Sequence, residues 1–332
     1  MTNGININAP LQSDRNLAME LVRVTEAAAL ASSRWIGRGD KNSADGAAVD
    51  AMRRAFDSVA IAGTVVIGEG EMDEAPMLYI GEKVGAGGPD VDIAVDPLEG
   101  TSICARGMPN AIATVAVAEK GGFLHAPDIY MDKIAVGPGL PEGVVHIDAS
   151  PKENLKNLAQ AKKAQIEDIV VCVLDRDRHK EIIRACREAG ARIMLIPDGD
   201  VAGVVACSQP EAGVDLYLGW GGAPEGVLAA AALRCIGGQM QGRLIYETDE
   251  QRERAKSMGI SDPDRIFNVG DMAKGDVMFS ATGVTTGAML RGVRRHATGA
   301  VTHSIVMRSK TGTVRYIEGH HNFMIKPNTY IA

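Results

Sequence analysis

Two carboxylates that follow a short apolar run could together hold a divalent cation. Asp96 comes directly after a predicted strand at residues 91–95, and the turn forced by Pro97 would bring Glu99 beside it. Paired carboxylate oxygens are the ligands that Mg²⁺ and Mn²⁺ prefer. The glycine and threonine that come next would let the backbone approach an anion and would add a hydroxyl at a helix N-terminus. A turn that only caps a helix would show the same pattern, so this segment leaves a structural role open.

A second acidic group follows another predicted strand, at residues 64–67. Glu69 opens a run of four carboxylates within six residues, which includes Asp73 and ends at Glu74. Such side chains repel one another unless water or a cation neutralises them. A solvated loop would satisfy that condition too. Because this group also stands at a strand end, shortly before Asp96, we interpret it as part of the same set of metal ligands.

A third charged segment precedes a predicted helix at residues 44–56. Lys41 and Asp45 are four residues apart and could share one face of that helix. A charged helix start, capped by Asp40 or Ser43, is the plainer explanation. This segment supports a metal site only in combination with the two acidic groups.

The elements that must position these residues follow from the apolar pattern. An N-terminal helix capped by Asp14 precedes the helix at 44–56, and a hairpin is predicted within 304–316. Strands are predicted at 64–67, 91–95, 113–117, 168–174, 192–196 and 214–218, with further helices at 179–188 and 226–236. Strands that alternate with helices indicate a parallel or mixed sheet covered on both faces. The polar stretch at 150–167 suggests a domain boundary.

Composition narrows the class of protein. The 332 residues carry 42 acidic and 35 basic side chains, a net charge of −7, which argues against a nucleic-acid-binding protein. No apolar run approaches the length of a membrane helix, and the polar first residues lack the apolar core of a signal peptide. The five cysteines are scattered without C-x-x-C spacing, which is typical of a reduced protein. We therefore expect a cytoplasmic protein with no membrane or nucleic-acid partner.

The acidic segments lie in longer strings that resemble class II fructose-1,6-bisphosphatases of the GlpX type, within the lithium-sensitive, metal-dependent sugar-phosphatase superfamily. The similar strings are GRGDKNSADGAAV (37–49), VIGEGEMDEAPMLYIGEKVG (66–85), DIAVDPLEGT (92–101), APDIYMDK (126–133), IPDGDVA (196–202), GGAPEGV (221–227) and FSATGVT (279–285). The resemblance implies an α/β and α+β architecture with α-β-α-β-α layers. An N-terminal α+β metal-binding catalytic domain would span 1–160, and a C-terminal α/β substrate-binding domain would span 161–332, with the site in the cleft between them.

The resemblance also implies site residues, position by position. The metal ligands would be Asp45, Glu69, Asp96, Glu99 and Glu225, holding Mg²⁺ or Mn²⁺. The catalytic residues would be Lys41, Asp45, Asp73 and Thr101. The substrate contacts would be Glu99, Gly100, Thr101, Tyr130, Arg176, Asp177, Arg178, Asp198, Gly199, Asp200 and Gly222. Asp177 and Trp220 depart from the family pattern, and Asp177 would lower the positive charge near the phosphate that is not cleaved.

The implied reaction is the metal-dependent hydrolysis of the 1-phosphate of fructose 1,6-bisphosphate to fructose 6-phosphate and phosphate, in gluconeogenesis, by a homodimer or homotetramer. The ions would polarise the phosphate and activate a water molecule that Thr101, oriented by Asp45 or Asp73, would position. Lys41 would offset charge in the transition state. A phosphatase for inositol phosphate or sedoheptulose 1,7-bisphosphate and a non-catalytic sugar-phosphate sensor stay open. A nucleotide-dependent enzyme is disfavoured because no Walker-type motif is present.

Overall fold

The computed structural model describes residues 11–70 and 77–325 of the chain. The helices are α1 (Leu11–Ser32), α2 (Lys41–Phe56), α3 (Thr101–Ala105), α4 (Pro151–Lys162), α5 (Lys180–Glu188), α6 (Asp200–Ala206), α7 (Ala223–Ile236), α8 (Asp249–Ser257) and α9 (Val269–Met272). The strands are β1 (Ala62–Ile67), β2 (Lys83–Val84), β3 (Asp90–Glu99), β4 (Ile112–Glu119), β5 (Tyr130–Val136), β6 (Val170–Leu174), β7 (Arg192–Ile196), β8 (Leu216–Gly222), β9 (Gln239–Ile245), β10 (Phe267–Asn268), β11 (Val277–Gly283), β12 (Arg294–His296), β13 (Gly299–Arg308) and β14 (Thr313–Asn322).

Two mixed sheets organise these elements. The first sheet has the order β12-β13-β11-β4-β3-β1-β2, with β14 paired to β13, and the second has the order β10-β9-β5-β8-β6-β7. β1 runs parallel to β3 in the first sheet, and β6 runs parallel to β7 and β8 in the second. A mixed sheet covered by helices was predicted from the alternation of apolar runs, and the structure confirms it.

The helices and sheets form five layers. α1 and α2 pack on the outer face of the first sheet, and α4 and α5 belong to the core on the outer face of the second. α7 contacts strands of both sheets and lies with α6 in the layer between them. This arrangement confirms the expected α-β-α-β-α layering. Because strand side chains alternate in direction, each sheet can feed apolar residues into the central core and into an outer core at once.

Each sheet contains strands from both halves of the chain. β5 lies before residue 160 but belongs to the second sheet, whereas β11 to β14 return to the first sheet. The returning strands place β11 between β4 and β13, directly against α7. The division into domains at 1–160 and 161–332 stays a prediction.

Two local predictions differ from the structure. α1 includes Leu11, so the predicted cap at Asp14 is wrong: that residue lies inside the helix. The strand predicted at 91–95 does not end in a turn at Pro97 but continues as β3 to Glu99. The chain absorbs the proline in a β-bulge, because bulges tolerate a residue without a backbone N–H. The late hairpin was predicted correctly and is formed by β13 and β14.

Within the described ranges, no helix is both long and apolar enough to cross a membrane. All five cysteines fall in the described part of the chain and are free thiols. Burial raises the pKa of Cys104, Cys172, Cys186, Cys207 and Cys235 above the usual range. Thiols of this kind are poor nucleophiles at neutral pH, so we assign them no part in chemistry.

Candidate active site

A pocket of about 330 Å³ brings together acidic residues from both halves of the sequence. Its six carboxylates are those of Asp45, Glu69, Asp96, Asp128, Asp198 and Glu225. They come from α2, from the segments that follow β1 and β7, from the bulge of β3, from the segment before β5 and from the first turn of α7. The structure therefore assembles four of the five predicted metal ligands around one space.

The bulge in β3 places Asp96 in this pocket. Asp96 pairs with Thr114 of β4, and Glu99 pairs with Ile112, so β3 contains one residue more than its partner between these two positions. The backbone N–H of Leu98 donates to the Asp96 carboxylate at 3.1 Å. A bulge of this kind redirects the side chains around it, which is how one strand can present acidic groups in two directions.

The parallel pairing of β1 and β3 explains the position of Glu69. Parallel strands end at the same edge of a sheet, so the residue that follows β1 lies close to the end of β3. Burial, followed by the charges of Asp45, Glu225 and Asp128, raises the pKa of Glu69 to about 8. Burial also raises the pKa of Asp96 well above its usual range, and the charge of Glu69 adds to this effect.

Glu225 enters the pocket from the first turn of α7. Its Oε2 atom is buried and has no hydrogen-bond partner among the residues that the structure describes. Gly222 leaves room for this carboxylate, because a Cβ at that position would overlap Oε2. Burial, and then the charge of Asp200, raises the pKa of Glu225 to about 7. A buried carboxylate oxygen without a donor is an incomplete arrangement that a cation would complete.

The donor set fits hard divalent cations. Over residues 11–70 and 77–325, no three acidic, histidine or cysteine side chains already converge tightly enough to enclose an ion. Mg²⁺ does not need such a cage, since it usually keeps several waters and is bound by one or two carboxylates together with substrate phosphates. The residues that could hold such ions are Asp45, Glu69, Asp96, Asp128 and Glu225.

Glu99 points away from this group, toward α6. Its buried carboxylate accepts hydrogen bonds from the backbone N–H groups of Val201 and Ala202. Burial, and next the charge of Asp200, raises its pKa well above the usual range. Glu99 therefore ties the end of β3 to the central helical layer. Its roles as a metal ligand and substrate contact stay predictions.

A buried lysine that is not among the predicted site residues lies behind the pocket. Lys133 forms an ion pair with Asp200, and its Nζ donates to the carbonyl oxygen of Gly222 at 2.8 Å. Gly221 permits this contact, because a Cβ there would overlap the Asp200 carboxylate. Asp200 is thus engaged by a cation of the protein, and its predicted substrate contact stays a prediction. Lys133 ends the string at 126–133 and falls in an apolar strand, which was the available signal.

The two predicted arginines have different contacts: Arg178 lies beside Tyr130, and Arg176 lies beside Asp198. The guanidinium of Arg178 lies over the Tyr130 ring, 4.7 Å from its centroid, and its Nη2 donates to the Trp220 carbonyl at 2.9 Å. Arg176 Nη2 is 3.8 Å from Oδ1 of Asp198, which lines the pocket. Arg176 therefore borders the acidic pocket.

Asp177 does not pair with either neighbouring arginine. Its side chain is 94% exposed and forms an ion pair with Lys180 at 2.8 Å. The expected loss of positive charge beside the arginines is therefore offset by a lysine one turn away. Its predicted substrate contact stays a prediction.

The remaining predicted residues divide into three groups. Gly100 and Thr101 line the pocket, and Gly199 precedes α6 in a left-handed conformation. Lys41 is exposed on the first turn of α2, four residues before Asp45. Asp73 lies outside the described residues. Asp128 was missed, although it stands in the string at 126–133, because an acid before a strand start has no distinctive spacing.

Comparisons with known proteins show which family the chain belongs to. Residues 15–321 match the family model described as bacterial fructose-1,6-bisphosphatase, glpX-encoded. The chain is 48% identical to fructose-1,6-bisphosphatase 1 class 2 of Escherichia coli (strain K12) over 322 residues, covering 92% of this chain and 95% of the relative. It is 45% identical to the D-fructose 1,6-bisphosphatase class 2/sedoheptulose 1,7-bisphosphatase of Synechococcus sp. (strain JA-2-3B'a(2-13)) over 334 residues, covering 93% and 96%. The chain therefore belongs to the glpX-encoded family of bacterial fructose-1,6-bisphosphatases.

Proposed function

We propose that this protein hydrolyses the 1-phosphate of fructose 1,6-bisphosphate, giving fructose 6-phosphate and phosphate. The observation that supports this most strongly is the junction of two unlike surfaces. A pocket with six carboxylates meets an arginine pair where Asp198 approaches Arg176. A bisphosphate needs both surfaces, one for the phosphate that is cleaved and one for the phosphate that is retained.

The acidic pocket is the proposed place of hydrolysis. Mg²⁺ or Mn²⁺ bound there would supply positive charge that polarises the phosphate. Asp45, Glu69, Asp96 and Glu225 are the proposed ligands, and Asp128 is an addition from the structure. Glu99, whose carboxylate faces α6, stays a predicted further ligand. Without a cation these groups raise one another's pKa, so the negative charges of the pocket are themselves an argument for a bound cation.

The chain's own groups would orient the reactants. Gly100 lies at the pocket wall in a left-handed conformation and exposes backbone close to the phosphate position, and the Thr101 hydroxyl follows at the start of α3. We assign that hydroxyl to the attacking water, with Asp45 or Asp73 orienting it and Lys41 offsetting transition-state charge. Water contributes an oxygen to the released phosphate, and the bond between phosphorus and the sugar oxygen breaks. Because phosphoryl transfer depends mainly on positioning and electrostatics, small displacements of these groups should be costly.

The arginine side would hold the rest of the substrate. Arg176 and Arg178 can donate charge-assisted hydrogen bonds to the retained phosphate. Tyr130 lies directly opposite Gly222 in the pairing of β5 with β8, so this surface is continuous with the wall that carries Glu225. Asp177, Asp198, Gly199 and Asp200 complete the proposed substrate side.

Sedoheptulose 1,7-bisphosphate is the second candidate substrate. The relative from Synechococcus carries both activities in its name. A longer sugar bisphosphate would also place one phosphate in the acidic pocket and the other beside the arginines. Initial rates of phosphate release distinguish the two candidate substrates. The rates are measured with both bisphosphates, with inositol phosphate and with fructose 6-phosphate, each in the presence of Mg²⁺ or Mn²⁺. Release from inositol phosphate alone would contradict the proposal.

A homodimer or homotetramer that works in gluconeogenesis in the cytoplasm is also part of the proposal. β14 is a ten-residue strand that pairs only with β13 within the described ranges, and it exposes Val314 and Tyr316. Long exposed edge strands of this kind favour pairing with another chain. Light scattering of the purified protein tests this, and a monomer at working concentration would contradict it.

A further inference from the structure

The side chains of Arg178 and His179 form hydrogen bonds with the backbone of β8 beyond the point where β6 ends. β6 ends at Leu174 and pairs with β8 at Leu216 and Tyr217, whereas β8 continues to Gly222. Beyond that point the Trp220 N–H donates to His179 Nε2 at 2.8 Å. The Trp220 carbonyl accepts from Arg178 Nη2 at 2.9 Å. His179 and Arg178 therefore bind the backbone N–H and the backbone carbonyl of Trp220.

The contacts of His179 determine its tautomer. Nε2 accepts a hydrogen bond from a backbone N–H, so this nitrogen carries no proton. Nδ1 is 2.7 Å from the Leu174 carbonyl oxygen and must be the nitrogen that donates. The ring is fully buried, and burial lowers the pKa of His179 below its usual value. A neutral ring thus links the end of β6 to the middle of β8.

The ring also fits closely against the backbone of β8. Gly219 has φ of +137°, and a Cβ at that position would lie 3.1 Å from His179 Nε2. A side chain at residue 219 would therefore press on the nitrogen that holds Trp220. Glycine at position 219 leaves room for the His179 ring, and the positive φ at this position also favours glycine.

Arg178 depends on the same peptide for its position. One end of its guanidinium is bound to the Trp220 carbonyl, and its plane lies over Tyr130. Its Nε is buried and has no acceptor among the described residues. An anionic oxygen would satisfy this donor. Any shift of Trp220 would move the guanidinium away from the place where it can do so.

We propose that His179 is a positioning residue for substrate binding: by fixing the backbone of Trp220, it holds Arg178 where it can bind the phosphate that is not cleaved. This inference rests on the proposed function, in which Arg178 contacts that phosphate. His179 itself touches no substrate. Its role is to turn a flexible arginine into a fixed donor, which reduces the entropy that binding must overcome.

Three variants test this role. His179→Leu removes both polar contacts, and we expect the KM for fructose 1,6-bisphosphate to rise about tenfold, with kcat within about twofold, as for a lost hydrogen bond in binding. His179→Gln keeps an acceptor that can reach the Trp220 N–H, and it should bring KM back to within about threefold of the original value. Ile183→Ala, in the adjacent core on α5, is the control for loss of stability and should leave KM unchanged.

The outcomes separate this inference from the proposed function. If Arg178→Ala raises KM for the bisphosphate but His179→Leu does not, only the role of His179 is wrong. If Arg178→Ala also leaves KM unchanged, the proposed phosphate contact is wrong and the inference is wrong with it. A rise in KM for Ile183→Ala as large as that for His179→Leu would show an effect of stability alone.

A measurement on the unaltered protein covers the case in which His179→Leu does not fold. Nitrogen NMR of the full-length protein at neutral pH should show His179 with Nδ1 protonated and Nε2 unprotonated, and with Nε2 as a hydrogen-bond acceptor. A protonated Nε2 could not accept from Trp220 and would overturn the proposal.

Discussion

The ammonium group of Lys133 is buried against the carboxylate of Asp200, directly behind the wall of the acidic pocket. The same ammonium group donates to the carbonyl of Gly222, the residue that makes room for Glu225. One cation of the protein therefore neutralises an acid and fixes the backbone beside a proposed metal ligand. It also lowers the pKa of Glu225, against the effects of burial and of the neighbouring acids.

Lys133→Met should strongly destabilise the protein. The substitution leaves Asp200 as a buried, unpaired charge, and breaking such a pair costs about 3–5 kcal/mol in the free energy of unfolding. The double variant Lys133→Met, Asp200→Asn removes both charges and should recover most of this loss. Urea unfolding of the two variants measures the difference. If the single variant is as stable as the original protein, the ion pair does not hold this wall together.

Thr101→Ala should lower kcat far more than it raises KM. The hydroxyl is assigned to the attacking water and not to binding the ground state, so its loss affects the transition state. Thr101→Ser keeps the hydroxyl and is the matched control, which should retain most of the rate. Steady-state kinetics with fructose 1,6-bisphosphate check both variants. A higher KM with unchanged kcat in the alanine variant would show that Thr101 only binds substrate or begins α3.

Replacing Arg176 and Arg178 together with alanine should erode the preference for a bisphosphate over a monophosphate. Each charge-assisted hydrogen bond to the retained phosphate contributes about 1.5–3 kcal/mol, and a monophosphate gains none. The ratio of kcat/KM for the two substrates measures the preference. Arg184→Ala is the control, because Arg184 is exposed on α5 and pairs only with acids of that helix in the described structure. A double variant that keeps its preference would show that the second phosphate binds elsewhere.

The stability of the metal-free protein should fall as pH rises from about 4.5 to about 8. The pKa of Glu69 is raised from 4.5 to about 8 and that of Glu225 to about 7, so the folded state keeps protons that the unfolded state has lost over this range. Below about pH 4.5 these carboxyl groups are protonated in both the folded and the unfolded protein, so they do not lower the stability. A divalent cation favours the deprotonated carboxylates, so Mg²⁺ should raise Tm more at pH 8 than at pH 6. Equal Tm increases at both values would contradict a cation site at these residues.

Local sequence signals predicted the elements around the site better than the contacts within it. β7 was predicted with its bounds, and the helix that carries Asp45 was placed to within three residues of α2. Both depend on short-range features, an apolar run and the Asp40 side chain that accepts from the Ser43 N–H. Glu69 and Asp96 were selected because they follow predicted strands, and the parallel pairing of β1 with β3 brings them together. Asp45 was selected from the start of a helix, and Glu225 only from the resemblance.

The unpredicted contacts of Lys133, Glu99 and His179 join residues far apart in the sequence. The pair of Lys133 with Asp200 joins β5 to the start of α6. The contact of Glu99 joins the first sheet to the same helix. The contact between His179 and Trp220 depends on where β6 stops relative to β8. The spacing of residues within one segment does not indicate which distant residues that segment will contact. The bulge at Pro97 shows the same limit, since its form depends on the register with β4.

Phosphate release by the original protein and by Asp96→Asn tests the central claim most directly. The neutral isostere removes a charge from the acidic pocket but keeps its volume, so the variant should fold, and its Tm without metal should be unchanged or higher. Asp92→Asn is the matched control on the same strand, since the side chain of Asp92 accepts from the Gly121 N–H and an amide oxygen can replace it. We expect the original protein and the control to release one phosphate from fructose 1,6-bisphosphate with Mg²⁺ or Mn²⁺, and Asp96→Asn to release none. Near-normal turnover by Asp96→Asn would contradict the assignment of this pocket as the hydrolytic site.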